Sequence, residues 1–290
     1  MVRPANFGFN IETAESNKFQ KSATIQNVHL LALAEFDNMV EQLRKEEIEV
    51  LVFQDTEIPH KPDAIFPNNW LSFHPNGVSV LYPMEAKNRQ IERRMEIFEL
   101  VPEYNFQNNI DISNYESENK FLEGTGSIIF DHDQNKAYCA VSSRSNTAIF
   151  EELMSKLGFK AISFEALDLN GHQIYHTNVM LSIGDQIIVV CSESISDPLE
   201  RHMVLNELNL SNKAIIDIDF SAMTNFAGNC LEINNKSGQS VLVMSETAHN
   251  HLTENQIFEI SKKSKIVFVS IPTIESIGGG SARCMMLGVT

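Results

Sequence analysis

Val179-Met180-Leu181-Ser182-Ile183-Gly184-Asp185-Gln186-Ile187-Ile188-Val189-Val190 reads as two short apolar strands joined at Gly184-Asp185. Runs rich in Val and Ile and bounded by turn residues are the signature of buried strands, and so short a connection makes them a hairpin. Asp197-Pro198 follows, a cap residue before a first-turn proline, and opens a helix over about Pro198–Asn209. The same order recurs on both sides. Ile128–Phe130 and Ala137–Val141 are joined by Asp131–Lys136, and a helix follows over Asn146–Leu157. Cys230–Ile233 and Ser240–Met244 are joined by Asn234–Gln239, and Thr253-Glu254 starts another over Thr253–Lys262. Three copies of hairpin-then-helix predict an α/β fold with internal repeats. Simple strand–helix alternation would have predicted a doubly wound parallel sheet.

Outside these copies, Glu49–Phe53, Gly77–Tyr82 and Ile266–Val269 read as strands, and about Ala23–Glu47 and Asn88–Glu99 as helices. No Pro/Gly/Ser linker divides the 290 residues, so residues 1–290 are expected to form a single domain. Hydrophobic residues make up 43% and charged residues 21%, which excludes a disordered chain, a collagen-like repeat and a coiled coil. The net charge of −16 makes the chain a poor binder of nucleic acid or anionic membrane, since phosphate binding needs clustered positive charge. No segment has the length and apolarity of a membrane span, and the start has no apolar signal core, so a cytoplasmic protein is expected.

The four cysteines form no CxxC pair, which argues against zinc and against a disulfide scaffold. Cys139 and Cys191 read as buried strand residues, and Cys230 as structural. Cys284 differs. It follows Ile277-Gly278-Gly279-Gly280-Ser281-Ala282-Arg283, where exposed backbone N–H groups and an adjacent cation would favour a thiolate. Its other reading is a loop cysteine. His172 and His176 are four apart but lack the glutamate of HExxH, so no metal is expected there. His176 at the mouth of a strand suits acid–base work, or is a hydrogen-bonded surface residue. Glu123 lies in Leu122-Glu123-Gly124-Thr125-Gly126, whose glycines allow close approach. That stretch is neither GxGxxG nor a P-loop, and Ser127 is not in a GxSxG elbow. Asp63 through Trp70 places two amides, Asn68 and Asn69, beside the single tryptophan. Lys87, Arg89, Arg93 and Arg94 form a basic island that reads best as a solvated helix face.

Taken in order, Pro62–Asn69, Leu122–Gly126, Ser143-Arg144-Ser145-Asn146, His176-Thr177-Asn178 and Gly279–Met285 resemble the guanidino-modifying (amidinotransferase-like, pentein) superfamily. It includes arginine deiminases, dimethylarginine dimethylaminohydrolases and amidinotransferases. Met1–Asn10 and Phe66–Trp70 look most like the arginine-deiminase-related citrulline hydrolases. The resemblance covers essentially the whole chain. It implies a five-bladed α/β propeller of ββαβ-type modules around a central site. It also implies Cys284 as nucleophile, His176 as proton donor and later base, and Glu123 as the group that orients His176. Arg144 and Arg89 would hold a substrate carboxylate, and Asp63, Asn68, Asn69 and Asn178 would line the substrate site. Arginine deiminases carry carboxylates at the positions of Asn69 and Asn178. Two amides there shift the expected substrate from arginine to citrulline, because Asn matches a ureido group's acceptor and its donors. The expected enzyme is a cofactor-free thiol hydrolase of citrulline, with a small amino acid as its partner and no metal; a homodimer is compatible with the chain. Arginine deiminase, dimethylarginine-type hydrolase and amidinotransferase are the enzymatic alternatives, and a silent amino-acid binder is the non-enzymatic one.

Overall fold

A computed structural model describes residues 1–22, 26–101 and 108–289. Four of its sheets repeat one plan. A hairpin is followed by helical chain and then by a third strand that pairs parallel to the hairpin's second strand, which becomes the centre of the sheet. A parallel pair needs such a crossover, because a tight turn can only reverse the chain.

The N-terminal blade pairs β1 (Val2–Arg3) parallel to β2 (Phe53–Gln54) across α1 (Val28–Lys45). The second contains β3 (Leu71–His74), β4 (Val78–Leu81), the turn α2 (Lys87–Gln90) and β5 (Asn108–Asp111). In the third, the turn α3 (Gly124–Ser127) leads into β6 (Ile129–Asp131) and β7 (Lys136–Ala140). Helix α4 (Thr147–Leu157) and β8 (Lys160–Phe164) complete it. The fourth is β9 (Leu181–Ile183), β10 (Ile187–Val190), α5 (Pro198–Asn209) and β11 (Ala214–Asp217). The fifth follows α6 (Phe220–Thr224) with β12 (Leu231–Asn234), β13 (Ser240–Ser245), α7 (Glu246–Asn250), α8 (Glu254–Ser261) and β14 (Lys265–Val269). This is the five-bladed α/β propeller of the pentein fold.

Local chemistry sets the helix starts. Asn146 accepts from Ile149 N, Asp197 from Leu199 and Glu200 N, and Thr253 forms a capping box with Gln256. Helix α1 buries Ala32, Phe36, Met39, Val40 and Leu43, the spacing of one helical face. That face belongs to the same core as Val241, Val243, Ile274, Ile277 and Cys284, so the turn bearing Cys284 is anchored in packed apolar groups.

Several expectations change. The helix over about Ala23–Glu47 is shorter, and residues 23–25 lie outside the described residues. The helix over Asn88–Glu99 breaks into α2 and a 3₁₀ segment, Met95–Leu100, because Arg89 and Arg93 both turn inward to buried or half-buried partners. Only the end of Glu49–Phe53 is a strand. Residues Thr177–Val179 are a 3₁₀ turn, so β9 starts two residues later than the apolar run suggested. The basic island is not a solvated face: Arg89 is 2% exposed.

Candidate active site

The segments just ahead of the blades' first strands converge. Asn68 and Asn69 lie in the 3₁₀ turn before β3, Glu123 precedes α3, and His176 precedes the 3₁₀ turn that carries Asn178. Asn229 comes just before β12, and Cys284 lies in the 3₁₀ turn Ala282–Met285. One cleft is lined by Cys284, His176, Asn69, Asp63, Arg89 and Arg144, together with Tyr175, Phe66 and Thr13. Six of the sequence-predicted residues therefore meet there. Glu123 stands behind His176, Asn178 stands against the sulfur, and Asn68 is buried with no partner for either side-chain polar atom. A larger cavity lined by Ser72, Leu181, Cys230 and Arg283 does not include Cys284.

His176 is 2% exposed and so is not a surface residue. Its Nε2 is 2.8 Å from Glu123 Oε2. Burial opposes ionisation of Glu123, but the Arg144 guanidinium and the hydrogen bond from His176 outweigh it and hold the carboxyl well below the usual range. Burial pushes the His176 imidazole down to about 4 in spite of Glu123. The imidazole is thus neutral near pH 7, and the network assigns its proton to Nε2, which donates to the carboxylate. That leaves Nδ1 as an acceptor. A Cβ on Gly126 would come within 2.8 Å of Nδ1, so only glycine admits the ring there.

The two arginines are held by protein groups. Arg89 donates to Glu92 through Nε and Nη2, to Phe66 O through Nη2 and to Asn69 Oδ1 through Nη1 at 2.8 Å. Arg144 donates to Ser16 Oγ, Thr13 O, Glu85 and Glu123, and its guanidinium lies over the Tyr175 ring. Asp63 accepts from Asn10 and Thr13 on Oδ2, while its Oδ1 is buried with no partner; burial raises its carboxyl pKa. Residues 10–21 run across this cleft. Asn17 Nδ2 donates to the carbonyls of Gly278 and Gly279, and Lys21 N to Ser276 O. The glycines before Cys284 are buried rather than an exposed loop, and Phe66 packs on Gly278 and Gly280.

Two site residues carry little signal in the sequence. Asn229 Nδ2 lies 3.3 Å from Cys284 Sγ, and Asn178 Nδ2 lies 3.4 Å from it. Tyr175 donates to Gly279 O at 2.8 Å and pins the glycine turn. The dipeptide Gly228-Asn229 ahead of Cys230 is the available hint for the first; none exists for the second. Among the described residues no group of three or more His, Cys, Asp or Glu side chains could hold a metal ion, all four cysteines are free, and no helix is long and apolar enough to cross a membrane.

The family model described as N,N dimethylarginine dimethylhydrolase, eukaryotic, matches residues 3–290. No curated protein sequence matches the chain. Among solved structures, ArgZ, an arginine dihydrolase from the ornithine–ammonia cycle in cyanobacteria, is 16% identical with a TM-score of 0.75. The match covers 100% of this chain and 40% of that one, so the chain spans less than half the length of ArgZ. The N-terminal domain of ArgZ bound to product matches at 16% identity and a TM-score of 0.74, covering 100% of this chain and 96% of the domain. A dimethylarginine dimethylaminohydrolase variant, as an adduct with S-methyl-L-thiocitrulline, is 15% identical with a TM-score of 0.65, covering 99% of this chain and 96% of that one. Identities this low carry the fold alone.

Proposed function

The chain belongs to the N,N dimethylarginine dimethylhydrolase family, whose members are hydrolases of non-peptide C–N bonds, and from that premise we propose that it hydrolyses the ureido group of citrulline with Cys284 as nucleophile. Residues 1–290 act in this reading as one catalytic domain.

The supporting observation is the orientation of two amides. Arg89 occupies Asn69 Oδ1, so the Nδ2 of Asn69 is the group left buried without a partner. Asn178 has the opposite polarity: Nδ2 is directed at the sulfur and Oδ1 is left buried without a partner. The site therefore offers one neutral donor and one neutral acceptor. A ureido group carries a carbonyl acceptor and N–H donors and can satisfy both. A guanidinium has donors only, and would leave Asn69 Nδ2 facing another N–H. Leaving a buried polar group unmatched costs about 1–3 kcal/mol.

In the reaction, the Cys284 sulfur bonds to the ureido carbon and the bond from that carbon to the ornithine nitrogen breaks. The thiol proton passes through His176 Nδ1 to the departing amine. Water then attacks the carbamoyl carbon on sulfur. Its hydroxyl goes to carbon, its proton passes by His176 back to sulfur, and the released carbamic acid yields ammonia and carbon dioxide. Glu123 holds the ring and stabilises the imidazolium formed in each step.

One observation favours a second substrate class. Asp63 Oδ1 is a buried carboxylate oxygen without a partner, which suits a cationic guanidine such as arginine or a methylated arginine. Purified protein incubated separately with citrulline, arginine and dimethylarginine tests this. Ornithine from citrulline is expected. Turnover of arginine or dimethylarginine with none of citrulline would overturn the ureido assignment, and full activity of Cys284→Ser would overturn the mechanism.

A further inference from the structure

We infer that Asn229 is a catalytic residue that stabilises the Cys284 thiolate and locks Asn178 in its working orientation. The inference rests on Cys284 being the nucleophile, as proposed above.

An amide NH2 has two N–H bonds, and at Asn229 both have a destination. One donates to the backbone carbonyl of Asn178 at 3.0 Å and the other to Cys284 Sγ at 3.3 Å. The first bond fixes the amide plane, so the second cannot swing away from sulfur. Oδ1 of the same side chain is 3.6 Å from Sγ, where it can accept from the thiol. One planar amide therefore suits both protonation states: the thiol donates to Oδ1, and the thiolate accepts from Nδ2. Asn178 Nδ2 adds a second donor at 3.4 Å. Asn229 is 2% exposed and Asn178 1% exposed, so water does not compete for these bonds.

The need for such donors follows from the surroundings. Cys284 is 4% exposed and packed within an apolar core, so bulk water does not supply donors to the sulfur. Arg283, the cation next in sequence, bonds the carbonyl of Met286 and lines the separate cavity away from the cleft. Among the described residues the sulfur's hydrogen-bond partners are the Asn178 and Asn229 amides. Removing a donor to a charged group typically shifts its titration by about one to two pH units.

The test reads the thiolate directly. Its ultraviolet absorbance is followed against pH, with the Cys284→Ser protein subtracted, in the otherwise unchanged chain and in Asn229→Asp and Asn229→Ala. The shape-conserving Asn229→Asp puts a carboxylate against sulfur, and its thiolate midpoint should rise by at least about one pH unit. Asn229→Ala should shift it in the same direction. With citrulline, kcat near neutral pH should fall about tenfold for each unit of that shift, with a smaller change in KM and partial recovery at higher pH. Midpoints unchanged in both folded variants would overturn the inference. Loss of fold in both would also overturn it, making Asn229 a purely structural residue. Because the titration needs no turnover, the proposed function fails separately: a wrong substrate shows as no turnover of citrulline by the unsubstituted chain, and a wrong nucleophile as activity retained by Cys284→Ser.

Discussion

His176 Nε2 and Glu123 Oε2 are 2.8 Å apart, and both side chains are sealed from solvent with Arg144 Nη1 at 3.4 Å from the same carboxylate oxygen. Glu123 is thus the hinge between the proton carrier and the arginine. Glu123→Gln keeps the shape but removes the charge that favours an imidazolium. Activity should fall by about 10²–10⁴-fold, the usual range for a positioned proton-transfer group. The acid limb of the pH–rate profile should move further below the value of about 4 that His176 has with Glu123 in place. Steady-state rates across pH check this; an acid limb that moved upward, or a rate unaffected, would remove Glu123 from the proton path.

Two buried imidazoles link stability to pH. Burial pushes both His176 and His74 down to about 4, against about 6.5 in an unfolded chain. Between those values the unfolded chain binds protons that the folded chain refuses. Stability is therefore fully present above about 6.5 and is lost as pH falls toward 4. Each imidazole contributes a loss of up to about 3 kcal/mol by the lower end. Urea unfolding across this window should show the decline, and His176→Asn should reduce its slope by one proton. A slope unaltered in that variant would contradict the assignment.

Gly126 marks how tightly the site is built. An added Cβ would collide with Asn69 Nδ2 and come within 2.8 Å of His176 Nδ1, without any demand for a left-handed backbone. Gly126→Ala should cost more than about 10²-fold in activity, since displacements near 1 Å are enough for that. Its overpacking cost in stability should stay near 1–3 kcal/mol. Paired measurements of kcat/KM and urea midpoint separate the two. A stable, fully active variant would show that Asn69 and His176 need not be held at these positions.

The parts legible in the sequence were those with local signals. Hairpins such as Leu181–Val190 announce themselves because two Val/Ile runs flank a tight turn, and α4, α5 and α8 because their caps are explicit. Of the third strands only β14 was legible, as the apolar run Ile266–Val269; β8 (Lys160–Phe164) and β11 (Ala214–Asp217) were missed, since they are short, mixed in polarity and paired on one side only. Cys284, His176 and Glu123 stood out by motif order. Arg89 was placed in the site by the resemblance alone: its neighbours in sequence read as a solvated face, and nothing near it shows that it pairs with Glu92 and turns onto Asn69 from another turn of the chain. Asn229 reaches the sulfur across 55 residues, a contact that only the closed propeller creates.

Arg89 sets both charge balance and amide polarity. Arg89→Met would leave Glu92 and Asp63 buried without their cation, and breaking a buried pair by removing one partner costs about 3–5 kcal/mol. Arg89→Met with Glu92→Leu removes both members of the closer pair and should recover part of that loss. Neither variant restores the donor on Asn69 Oδ1, so the amide is free to flip and selectivity for citrulline over arginine should narrow in both. Urea midpoints and the two kcat/KM values are the readouts. Recovered stability with undiminished selectivity would show that Arg89 does not orient Asn69.

The two amides make the sharpest prediction about substrate. In a Cys284→Ser background, which removes turnover, citrulline should bind more tightly than arginine, by about tenfold or more for each polar group arginine leaves unmatched. Changing Asn69→Asp and Asn178→Asp replaces the free donor by an acceptor-only group and adds a second carboxylate. The new carboxylate at position 69 stands where the Asn69 amide meets Arg89 at 2.8 Å, so that guanidinium offsets part of its charge. At position 178 the side chain faces Cys284 Sγ instead, with no arginine bonded to it among the described residues. A guanidinium can pair with a carboxylate there, whereas a ureido carbonyl is repelled. The preference should therefore invert, with position 178 contributing more than position 69 when the changes are made singly. Calorimetric titration of both amino acids into the four proteins gives the answer. An unchanged preference across all four would mean that neither amide touches the head group, and the case for citrulline would lose its physical basis.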